Sequence, residues 1–238
     1  MHVDQYARLL DIRTFECWSQ AVFSLAANHG FEQCLFTALP SKHASMDKAF
    51  VVSNYAHQWR VIYDEQRYFN IDPAIHHCYS THIPLLWEQS LYSSPRQQAM
   101  YQQASSYGLR TGLIFPIYGA NGEFGMMNFA SDQLADKEAR EEIANIIPML
   151  SVFKDYVFES AKSFYQTTGS GTNVPLTPRE KEVINWCAAG KTCWEISRIL
   201  SCSESTINFH LSNVRHKFDV GSTQLAVIKA LQHGLIRV

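Results

Sequence analysis

The chain has 238 residues, of which 46% are hydrophobic and 13% aromatic, so it has apolar material for two modest domains with their own cores. It contains no apolar run of membrane-spanning length and no signal-peptide pattern, which indicates a cytoplasmic protein without membrane partners. The net charge of -2 hides an asymmetry: residues 174–238 carry eight Lys and Arg against five Asp and Glu, whereas the preceding residues carry twelve against seventeen. Only the C-terminal part is therefore suited to DNA, and its modest charge favours binding as two copies.

The first part of the chain alternates helical segments with short strands rich in apolar and β-branched residues. Helices are predicted over residues 6–29, 58–69, 73–78, from 95 to near 108, and over 132–165, the last interrupted at most at Pro148. Strands are predicted over residues 34–39, 50–53, 112–118 and 123–130, the last two forming a hairpin about residues 119–122. Few antiparallel strands with helices before, between and after them predict an α+β sandwich.

A polar stretch separates this part from the rest. Residues 166–173 read Gln-Thr-Thr-Gly-Ser-Gly-Thr-Asn, a composition typical of an interdomain linker. We therefore predict an N-terminal domain over residues 1–165, a linker over 166–175 and a C-terminal domain over 176–238.

Four short helices are predicted in the C-terminal domain, because hydroxyl-bearing caps recur there in close succession. Thr177 and Thr192 each precede a Glu by three residues, the capping-box pattern; Ser203 caps a third helix, and a fourth follows Ser222. The apolar positions expected to face a common core are Val183, Ile184, Cys187, Ile196, Ile199, Leu200, Ile207, Leu211, Val214, Phe218, Leu225, Ile228 and Leu231. Two short helices joined by a tight turn and bracketed by two more predict an all-α helix-turn-helix domain.

The third of these helices presents a face suited to a DNA major groove. Opposite its core positions lie Ser205, Asn208, Phe209, Ser212, Asn213 and His216, with Thr206, Arg215 and Lys217 on the flanks. Amides pair with adenine edges, an aromatic ring meets a thymine methyl group, and cations bind phosphates. The alternative is an ordinary solvated face, which gives no reason for an exposed phenylalanine.

Three motifs in this domain carry a family resemblance. They are Leu176-Thr-Pro-Arg-Glu-Lys-Glu-Val, Gly190-Lys-Thr-x-x-Glu195-Ile-Ser and Thr206-Ile-Asn-Phe-His210-Leu-x-Asn-Val-Arg-x-Lys217-Phe. Together they resemble the DNA-binding domain of LuxR-type transcription regulators. The predicted DNA-binding residues are Lys191, Thr192, Ser205, Thr206, Asn208, Phe209, Ser212, Asn213, Arg215 and Lys217.

The middle of the N-terminal domain carries an unusually polar aromatic set. Tyr55, Trp59, Tyr63, Asp72 and Trp87 combine aromatic walls with a few hydrogen-bonding groups, as an amphiphilic ligand requires. Trp59 and Tyr63 are four residues apart, on one face of a helix. Spacing alone leaves the alternative of a simple core open.

A second resemblance favours the ligand site. Ser53-Asn-Tyr-x-x-x-Trp-Arg-x-x-Tyr63, Asp72-Pro, Pro84-Leu-Leu-Trp87-Glu and Gly122-Glu-x-Gly125 are similar to the acyl-homoserine lactone domain of the same family, whose fold is a PAS/GAF-like sandwich. The resemblance implies that Trp59 donates to the lactone carbonyl, Asp72 accepts the ligand amide N–H, and Tyr55 bonds the acyl carbonyl, while Tyr63 and Trp87 pack the ring. It further implies that the pocket is lined by Thr37, Phe69, Leu109, Phe124, Met126 and Asn128. The alternative for Asp72 is a purely structural cap of the helix begun by Pro73.

Two positions depart from the family pattern. Ala74 stands where a hydroxyl often assists, and Asn128 stands where Ser or Thr commonly bonds the acyl carbonyl. Asn128 can donate an amide hydrogen, although its bulk is expected to displace the carbonyl. Because Phe124 and Met126 also have volume, we expect a short or medium acyl chain.

The resemblance implies a mechanism in which ligand completes the N-terminal core and stabilises the folded state. The filled domain then dimerises through the last helix of the N-terminal domain, expected over residues 138–165, whose apolar positions are Ile143, Ile146, Ile147, Val152, Phe153, Val157 and Phe158. Such a homodimer would bind a palindromic promoter site and contact RNA polymerase. The alternative in the same fold is an orphan receptor or an anti-activator that sequesters a related regulator.

Two rivals come from other protein classes. An enzyme that hydrolyses its lactone would need catalytic groups, and His76, His77 and His82 lie near Asp72, but no Gly-x-Ser-x-Gly elbow or metal-spaced histidine cluster occurs. A phosphorylation-controlled response regulator would need a parallel βα repeat, which the antiparallel pattern lacks. Six scattered cysteines lack zinc or disulfide spacing, so we predict reduced thiols, no metal site, no catalytic residue and no cofactor beyond the signalling ligand.

Overall fold

The computed structural model describes residues 3–120, 122–134, 137–165 and 176–236. The predicted linker over residues 166–175 and Asn121 of the predicted hairpin turn lie outside the described residues. The chain forms two compact units, one of Met1–Ala38, Ala49–Gly119 and Phe124–Thr168, the other of Leu39–Lys48, Ala120–Glu123 and Gly169–Val238. The division predicted at residues 165 and 176 falls at the undescribed segment, so its position stays a prediction.

The part of the chain described before residue 166 combines α-helices with a single five-stranded sheet. Its helices are α1 Val3–Ala7, α2 Phe15–Ala27, α3 His57–Glu65, α4 Pro73–Ser80, α5 Pro95–Ser105 and α6 Lys137–Tyr165. Its strands are β1 Gln33–Leu39, β2 Phe50–Ser53, β3 Leu85–Trp87, β4 Thr111–Tyr118 and β5 Phe124–Ser131, and short 3-10 helices cover Arg8–Asp11, Met46–Lys48, Tyr68–Asn70 and Gln89–Leu91. The strands are ordered β2-β1-β5-β4-β3. The predicted antiparallel α+β class is confirmed.

One face of the sheet carries the main core. Leu113 of β4 pairs with Phe129 of β5, and Phe115 pairs with Met127, so these side chains share a face. They are fully buried with residues of α2 and α6, and the two helices are joined there by a bond from the indole N–H of Trp18 to Ser160, at 2.8 Å. Because side chains alternate along a strand, the intervening residues of β4 and β5 point to the opposite face, which we call the pocket face.

Two predicted helices are shorter than the apolar pattern indicated. The single helix predicted over residues 6–29 is wrong, because Ile12 and Thr14 are extended and separate α1 and its 3-10 continuation from α2. The helix predicted over residues 58–69 ends at Glu65, since Arg67 adopts φ of 51°, a left-handed conformation that interrupts helical hydrogen bonding. The predicted interruption at Pro148 does not occur, because Pro148 lies inside α6.

Strand β3 has no counterpart among the predicted elements. It contains only Leu85–Trp87, too short for alternation to identify, and is held at the sheet edge by antiparallel pairing with β4. Its importance for function is that it places Trp87 opposite Gly112 on the pocket face.

The second unit contains α7 Pro178–Ala188, α8 Cys193–Ile199, α9 Glu204–Phe218 and α10 Thr223–Gln232. The capping boxes predicted at Thr177 and Thr192 are confirmed, as are the caps at Ser203 and Ser222. Residues of all four helices share a buried core that includes Val183, Ile184, Ile196, Ile207, Leu211, Val214, Phe218, Ala226 and Ala230.

The predicted inward face of α10 is partly wrong. Ala226 and Ala230 are fully buried, whereas Leu225 and Ile228 are 50% and 49% exposed. Ile199 at the end of α8 was also expected in the core and is 43% exposed. The two alanines are one helical turn apart and have small side chains, so they let α10 approach its neighbours closely and turn the leucine and isoleucine outward. No described helix has the length and hydrophobicity that crossing a bilayer requires.

Candidate functional site

The pocket face collects five of the residues predicted to line the ligand site. Ile114 pairs with Asn128, Pro116 with Met126, and Tyr118 with Phe124, so these residues alternate with the core-facing set. Trp87 joins them through its pairing with Gly112, and Thr37 lies between Phe36 and Ala38, which both belong to the main core. The predicted residues gathered on this one face are Thr37, Trp87, Phe124, Met126 and Asn128.

Helix α4 lies over the far end of the pocket face. The hydroxyl of Tyr118 donates a 2.6 Å hydrogen bond to the carbonyl oxygen of Cys78, and the rings of Tyr79 and Phe124 lie 4.4 Å apart. Phe124 is fully buried and also contacts the Tyr118 ring at 5.4 Å. His82 packs on Tyr118 at 4.2 Å. These four residues, Tyr79, His82, Tyr118 and Phe124, form what we call the aromatic plug.

Asp72 connects α4 to α3. One carboxylate oxygen accepts the backbone N–H of Ala74 at 2.9 Å, which caps α4, and the other accepts the hydroxyl of Tyr63 at 2.8 Å. Burial raises the pKa of Asp72, although the hydrogen bonds from Tyr63 and from backbone N–H groups oppose that change. Asp72 is therefore a helix cap that also accepts a hydrogen bond from Tyr63, and its contact with a ligand stays a prediction.

The aromatic residues of α3 form a continuous wall. The rings of Trp59 and Tyr63 meet edge to face at 5.6 Å, which confirms that they share one helical face, and Trp59 stacks on Tyr68 at 6.0 Å. Trp59 is almost fully buried. Its indole N–H has no hydrogen-bond acceptor among the described residues.

Tyr55 carries the strongest sign of a missing partner. It is 9% exposed, and its hydroxyl oxygen is buried without any hydrogen bond from or to a described residue. Burial raises the pKa of Tyr55 well above its ordinary value, and the nearby Cys34 and Asp72 raise it further. A neutral buried hydroxyl without a partner costs free energy, which makes the Tyr55 hydroxyl a candidate for a contact with a ligand.

Asn128 and Trp87 are joined directly. The Trp87 indole N–H donates to the side-chain oxygen of Asn128 at 2.8 Å. Trp87 is 4% exposed, whereas Asn128 is half-buried. The bond from Trp87 therefore sets the orientation of the Asn128 amide, and the contact of Asn128 with a ligand stays a prediction.

Two other residues predicted to line the ligand site lie before β4 and after α3. Leu109 is buried immediately before β4, and Phe69 lies half-buried in the 3-10 helix after α3. Sequence reasoning missed Tyr92, which is 7% exposed and interacts electrostatically with Asp72, Tyr55 and Tyr63. The only sequence feature that marks Tyr92 is its own aromatic side chain, five residues after Trp87.

The predicted DNA-binding residues lie on the surface of the second unit. Lys191, Thr192, Ser205, Asn208, Phe209 and Ser212 are exposed, while Thr206, Asn213, Arg215 and Lys217 are half-buried. Phe209 is 62% exposed, in agreement with the predicted outward arc of α9. Trp194 on α8 is 55% exposed beneath the guanidinium of Arg198, and sequence reasoning did not select it. The contacts that these residues make with DNA stay predictions.

Lys217 has a structural partner within its own unit. Its ammonium group lies 2.6 Å from a carboxylate oxygen of Glu180, which is 3% exposed and also closes the capping box of α7 by accepting the Thr177 backbone N–H at 2.7 Å. Burial alone would raise the pKa of Glu180, but the bonds from Lys217 and Thr177 outweigh it and the pKa is lowered. A phosphate contact from Lys217 would therefore share the ammonium group with this ion pair.

Comparisons with known proteins assign both parts of the chain to known families. Residues 14–161 match the autoinducer binding domain family, and residues 174–230 match the family of bacterial regulatory proteins, luxR family. The transcriptional activator protein AnoR of Acinetobacter nosocomialis is 32% identical over 219 residues, covering 91% of each chain. The transcriptional activator protein LuxR of Aliivibrio fischeri is 33% identical over 195 residues, covering 78% of this chain and 74% of that one.

A solved structure shows the same fold. Escherichia coli SdiA aligns with a TM-score of 0.72 and 22% sequence identity, covering 97% of this chain and 95% of that chain. The matched families are those of ligand-responsive transcription regulators, not of enzymes. The chain belongs to the LuxR family of quorum-sensing transcription regulators, with an autoinducer-binding domain followed by a helix-turn-helix domain that binds DNA.

Proposed function

We propose that the autoinducer of this receptor is an N-acyl homoserine lactone, held between the pocket face and helices α3 and α4. The observation that carries the proposal is a set of polar groups without protein partners. The Tyr55 hydroxyl is buried without a partner among the described residues, and the Asp72 carboxylate interacts electrostatically with it. The Trp59 indole and the Asn128 amide nitrogen are two further donors for which no hydrogen bond to a described residue is found. An acyl homoserine lactone offers two carbonyl acceptors and one amide N–H, which complements this set.

Each head-group contact follows from the chemistry of the side chain. Trp59 would donate to the lactone carbonyl and Tyr55 to the acyl carbonyl, because an indole N–H and a neutral phenol are donors. Asp72 would accept the amide N–H, while Tyr63 keeps its own bond to the same carboxylate. Trp87 and Tyr63 would pack against the lactone ring. The contact with Tyr55 pairs a hydroxyl that is costly to leave unpaired in a buried site.

The aromatic plug supports a short or medium acyl chain. Phe124 lies four residues along β5 from Asn128, a distance of roughly 13 Å at about 3.3 Å per residue. An extended acyl chain lengthens by about 1.3 Å per carbon, because its bonds are about 1.5 Å long and zigzag. The Phe124 ring occupies part of the roughly 13 Å, so about six to eight carbons fit in the rest. Met126 is fully buried between the two positions and further reduces the space for the acyl chain.

Ligand binding would couple to assembly and to DNA. Of the apolar positions of α6 that favoured dimerisation, Phe153, Val157 and Phe158 are buried in the unit's own core, and the partly exposed surplus is Ile143, Ile146, Ile147 and Val152. We propose that this surplus pairs in a homodimer, so that two copies of α9 reach adjacent major grooves of a palindromic site. The dimer would act in the cytoplasm and contact RNA polymerase at its promoters.

Thermal unfolding of the purified chain tests the ligand assignment. The probes are N-hexanoyl-, N-octanoyl- and N-dodecanoyl-homoserine lactone, with ring-opened N-octanoyl homoserine as the matched control. We expect the six- and eight-carbon lactones to raise the melting temperature and the control to have little effect. At a thousandfold excess over Kd, bound ligand should raise the free energy of unfolding by about 4 kcal/mol. No shift with any lactone would refute the ligand class, and the largest shift with the twelve-carbon probe would refute the chain length.

A further inference from the structure

A hydrogen bond joins the two helices of the helix-turn-helix at the surface predicted to face DNA. The thiol of Cys193, the first residue of α8, donates to the side-chain oxygen of Asn208 on α9, and the sulfur and oxygen atoms lie 3.5 Å apart. Asn208 is exposed on the arc of α9 that we predict to enter the major groove. The bond therefore acts on a side chain expected to contact a base.

The core of the second unit fixes both ends of this bond. Cys193 is half-buried and packs against that core. Ile196 lies three residues further along α8, on the same helical face as Cys193, and is fully buried. On α9 the residue before Asn208 is Ile207, which is also fully buried in this core. The backbones that carry the thiol and the amide are consequently held in place relative to each other.

The thiol restrains a side chain that is otherwise free to turn. Within the described part of the chain, the Asn208 side chain makes no other hydrogen bond. An exposed side chain without restraint samples several rotamers, and DNA binding must then order it at a cost in free energy. A bond that is already present in the free protein reduces this cost.

The bond to Cys193 leaves the Asn208 amide able to donate and to accept. An amide oxygen has two lone pairs, of which the thiol hydrogen takes one, and both hydrogens of the amide nitrogen remain available. In the major groove adenine presents an amino donor beside the N7 acceptor, and an asparagine pairs with both at once. Guanine presents two acceptors, so it would leave the amide oxygen without a donor. The restrained amide therefore matches adenine.

We propose that Cys193 is a positioning residue that holds the Asn208 amide ready for an adenine in each half-site of the operator. This inference rests on the predicted contact of Asn208 with a base, and it adds both the base that is read and a second residue on which the reading depends. Without the thiol the amide would turn freely. The preference for adenine at that position should then fall by about two- to fivefold, the range for one weak hydrogen bond.

Selection from random DNA tests the inference. The full chain and its variants, each with N-octanoyl-homoserine lactone, are used to enrich duplexes randomised over about 20 base pairs, two helical turns, and the enriched pools are sequenced. The unmodified chain should prefer adenine at one position in each half-site, and Asn208→Ala should lose that preference. Cys193→Ala should reduce the preference at this position alone. Cys193→Ser should retain it, because a hydroxyl can also donate to the amide oxygen.

Three further variants separate positioning from general damage. Cys187→Ala removes another half-buried thiol packed on the same core, from α7, and should leave every base preference unchanged. Adding Cys193→Ala to Asn208→Ala should cause no further loss at the adenine position. Cys193→Val fills the space of the thiol without a donor and should act like Cys193→Ala, so the inference remains testable if the alanine variant does not fold.

Two sets of outcomes would overturn the inference. An unchanged adenine preference in folded Cys193→Ala or Cys193→Val, or an equal loss in Cys187→Ala, would overturn the role of Cys193 but leave the base contact of Asn208 standing. An unmodified chain without an adenine preference, or an Asn208→Ala chain that keeps it, would overturn both. Neither set bears on the lactone assignment, which the thermal shifts test separately.

Discussion

The hydroxyl of Tyr63 donates a 2.8 Å hydrogen bond to Asp72, whose other carboxylate oxygen caps α4 through the N–H of Ala74. The bond ties α3 to the start of α4, and in the function we propose the same carboxylate lines the ligand site. In this proposal, capping and ligand binding depend on the same side chain. Without a ligand N–H to pair with it, the buried negative charge of Asp72 costs free energy.

Replacing Asp72 with Asn should separate these roles. Because burial raises the pKa of Asp72 in the folded chain, the folded state holds this proton more tightly than the unfolded state does. The empty protein should lose stability as the pH rises from the ordinary value of 3.8 through the raised value, and Asp72→Asn should remove that loss. Asparagine is also a good cap, so we expect little destabilisation, but lactone affinity should fall roughly tenfold because a charge-assisted bond is lost.

Melting temperatures between pH 4 and 7, with and without N-octanoyl-homoserine lactone, check this prediction. Asp64→Asn is the control, because Asp64 is an exposed carboxylate paired with Arg60 on the same helix α3. A pH dependence equal in Asp72→Asn and the unmodified chain would show that Asp72 is not the titrating group.

Tyr55→Phe should stabilise the empty protein while weakening ligand binding. The substitution removes a buried hydroxyl that has no protein partner, so we expect a gain of about 1 kcal/mol without ligand and a loss of about five- to tenfold in affinity. Tyr101→Phe is the control of opposite sign, because the Tyr101 hydroxyl donates to the Arg110 carbonyl at 2.8 Å. Urea unfolding and titration measure both quantities, and destabilisation of empty Tyr55→Phe would argue that its hydroxyl has a partner.

Much of the fold followed from local signals. The capping boxes at Thr177 and Thr192 located two helices, because a cap is a local hydrogen-bond pattern written in four residues. The early end of α3 was missed, because a left-handed Arg67 leaves no mark in residue type. The break before α2, at the extended Ile12 and Thr14, was missed as well. Strand β3 was missed because its pairing with β4 is long-range.

The sequence named residues of the candidate site but not the contacts between them. Tyr55, Trp59 and Asp72 carried the signal of mixed aromatic and polar character, and the structure gathers Tyr55 and Asp72 with Tyr63. The bond from Trp87 to Asn128 was beyond reach, because the two residues are 41 positions apart and meet only through the register of three strands. The partner of Lys217 was missed for the same reason, since Glu180 is 37 positions away.

Phe124→Leu should lengthen the preferred acyl chain. The smaller side chain opens space at the aromatic plug, so we expect a loss of about 1 to 2 kcal/mol in the empty protein and a preference longer by about two carbons. Phe129→Leu is the matched control, because Phe129 is equally buried on the opposite face of the same strand. It should cost similar stability without moving the preference. Thermal shifts with lactones of six to twelve carbons measure both effects, and an unchanged preference in Phe124→Leu would mean that the plug does not limit the chain.

Asn208→Ala and Phe209→Ala should relax DNA sequence choice. Both side chains are exposed on α9, and each lost base contact is expected to cost about 1 to 3 kcal/mol on the operator but little on random DNA. Lys191→Ala is the control for phosphate binding and should weaken binding to both DNAs alike. It should also reduce the slope of the logarithm of affinity against the logarithm of salt concentration by about 1. Gel-shift titrations at several salt concentrations measure these effects, and equal losses on operator and random DNA for Asn208→Ala would remove it from base recognition.

Lys217→Met should weaken DNA binding by destabilising the domain as well as by removing a cation. Glu180 is 3% exposed, so loss of the Lys217 ammonium leaves its carboxylate with only its capping bonds, at a cost of roughly 1 to 2 kcal/mol. The lowered pKa of Glu180 gives the unmodified chain stability above the ordinary value of 4.5 that is lost as the pH falls through the lowered value. In Lys217→Met that loss should begin at higher pH.

Lys181→Met removes the same charge from an exposed position of α7 and should leave stability unchanged. Urea unfolding of the full chain at pH 4 to 7 distinguishes the two, and a Lys217→Met chain as stable as the control yet weaker on all DNA would assign Lys217 to phosphate binding alone.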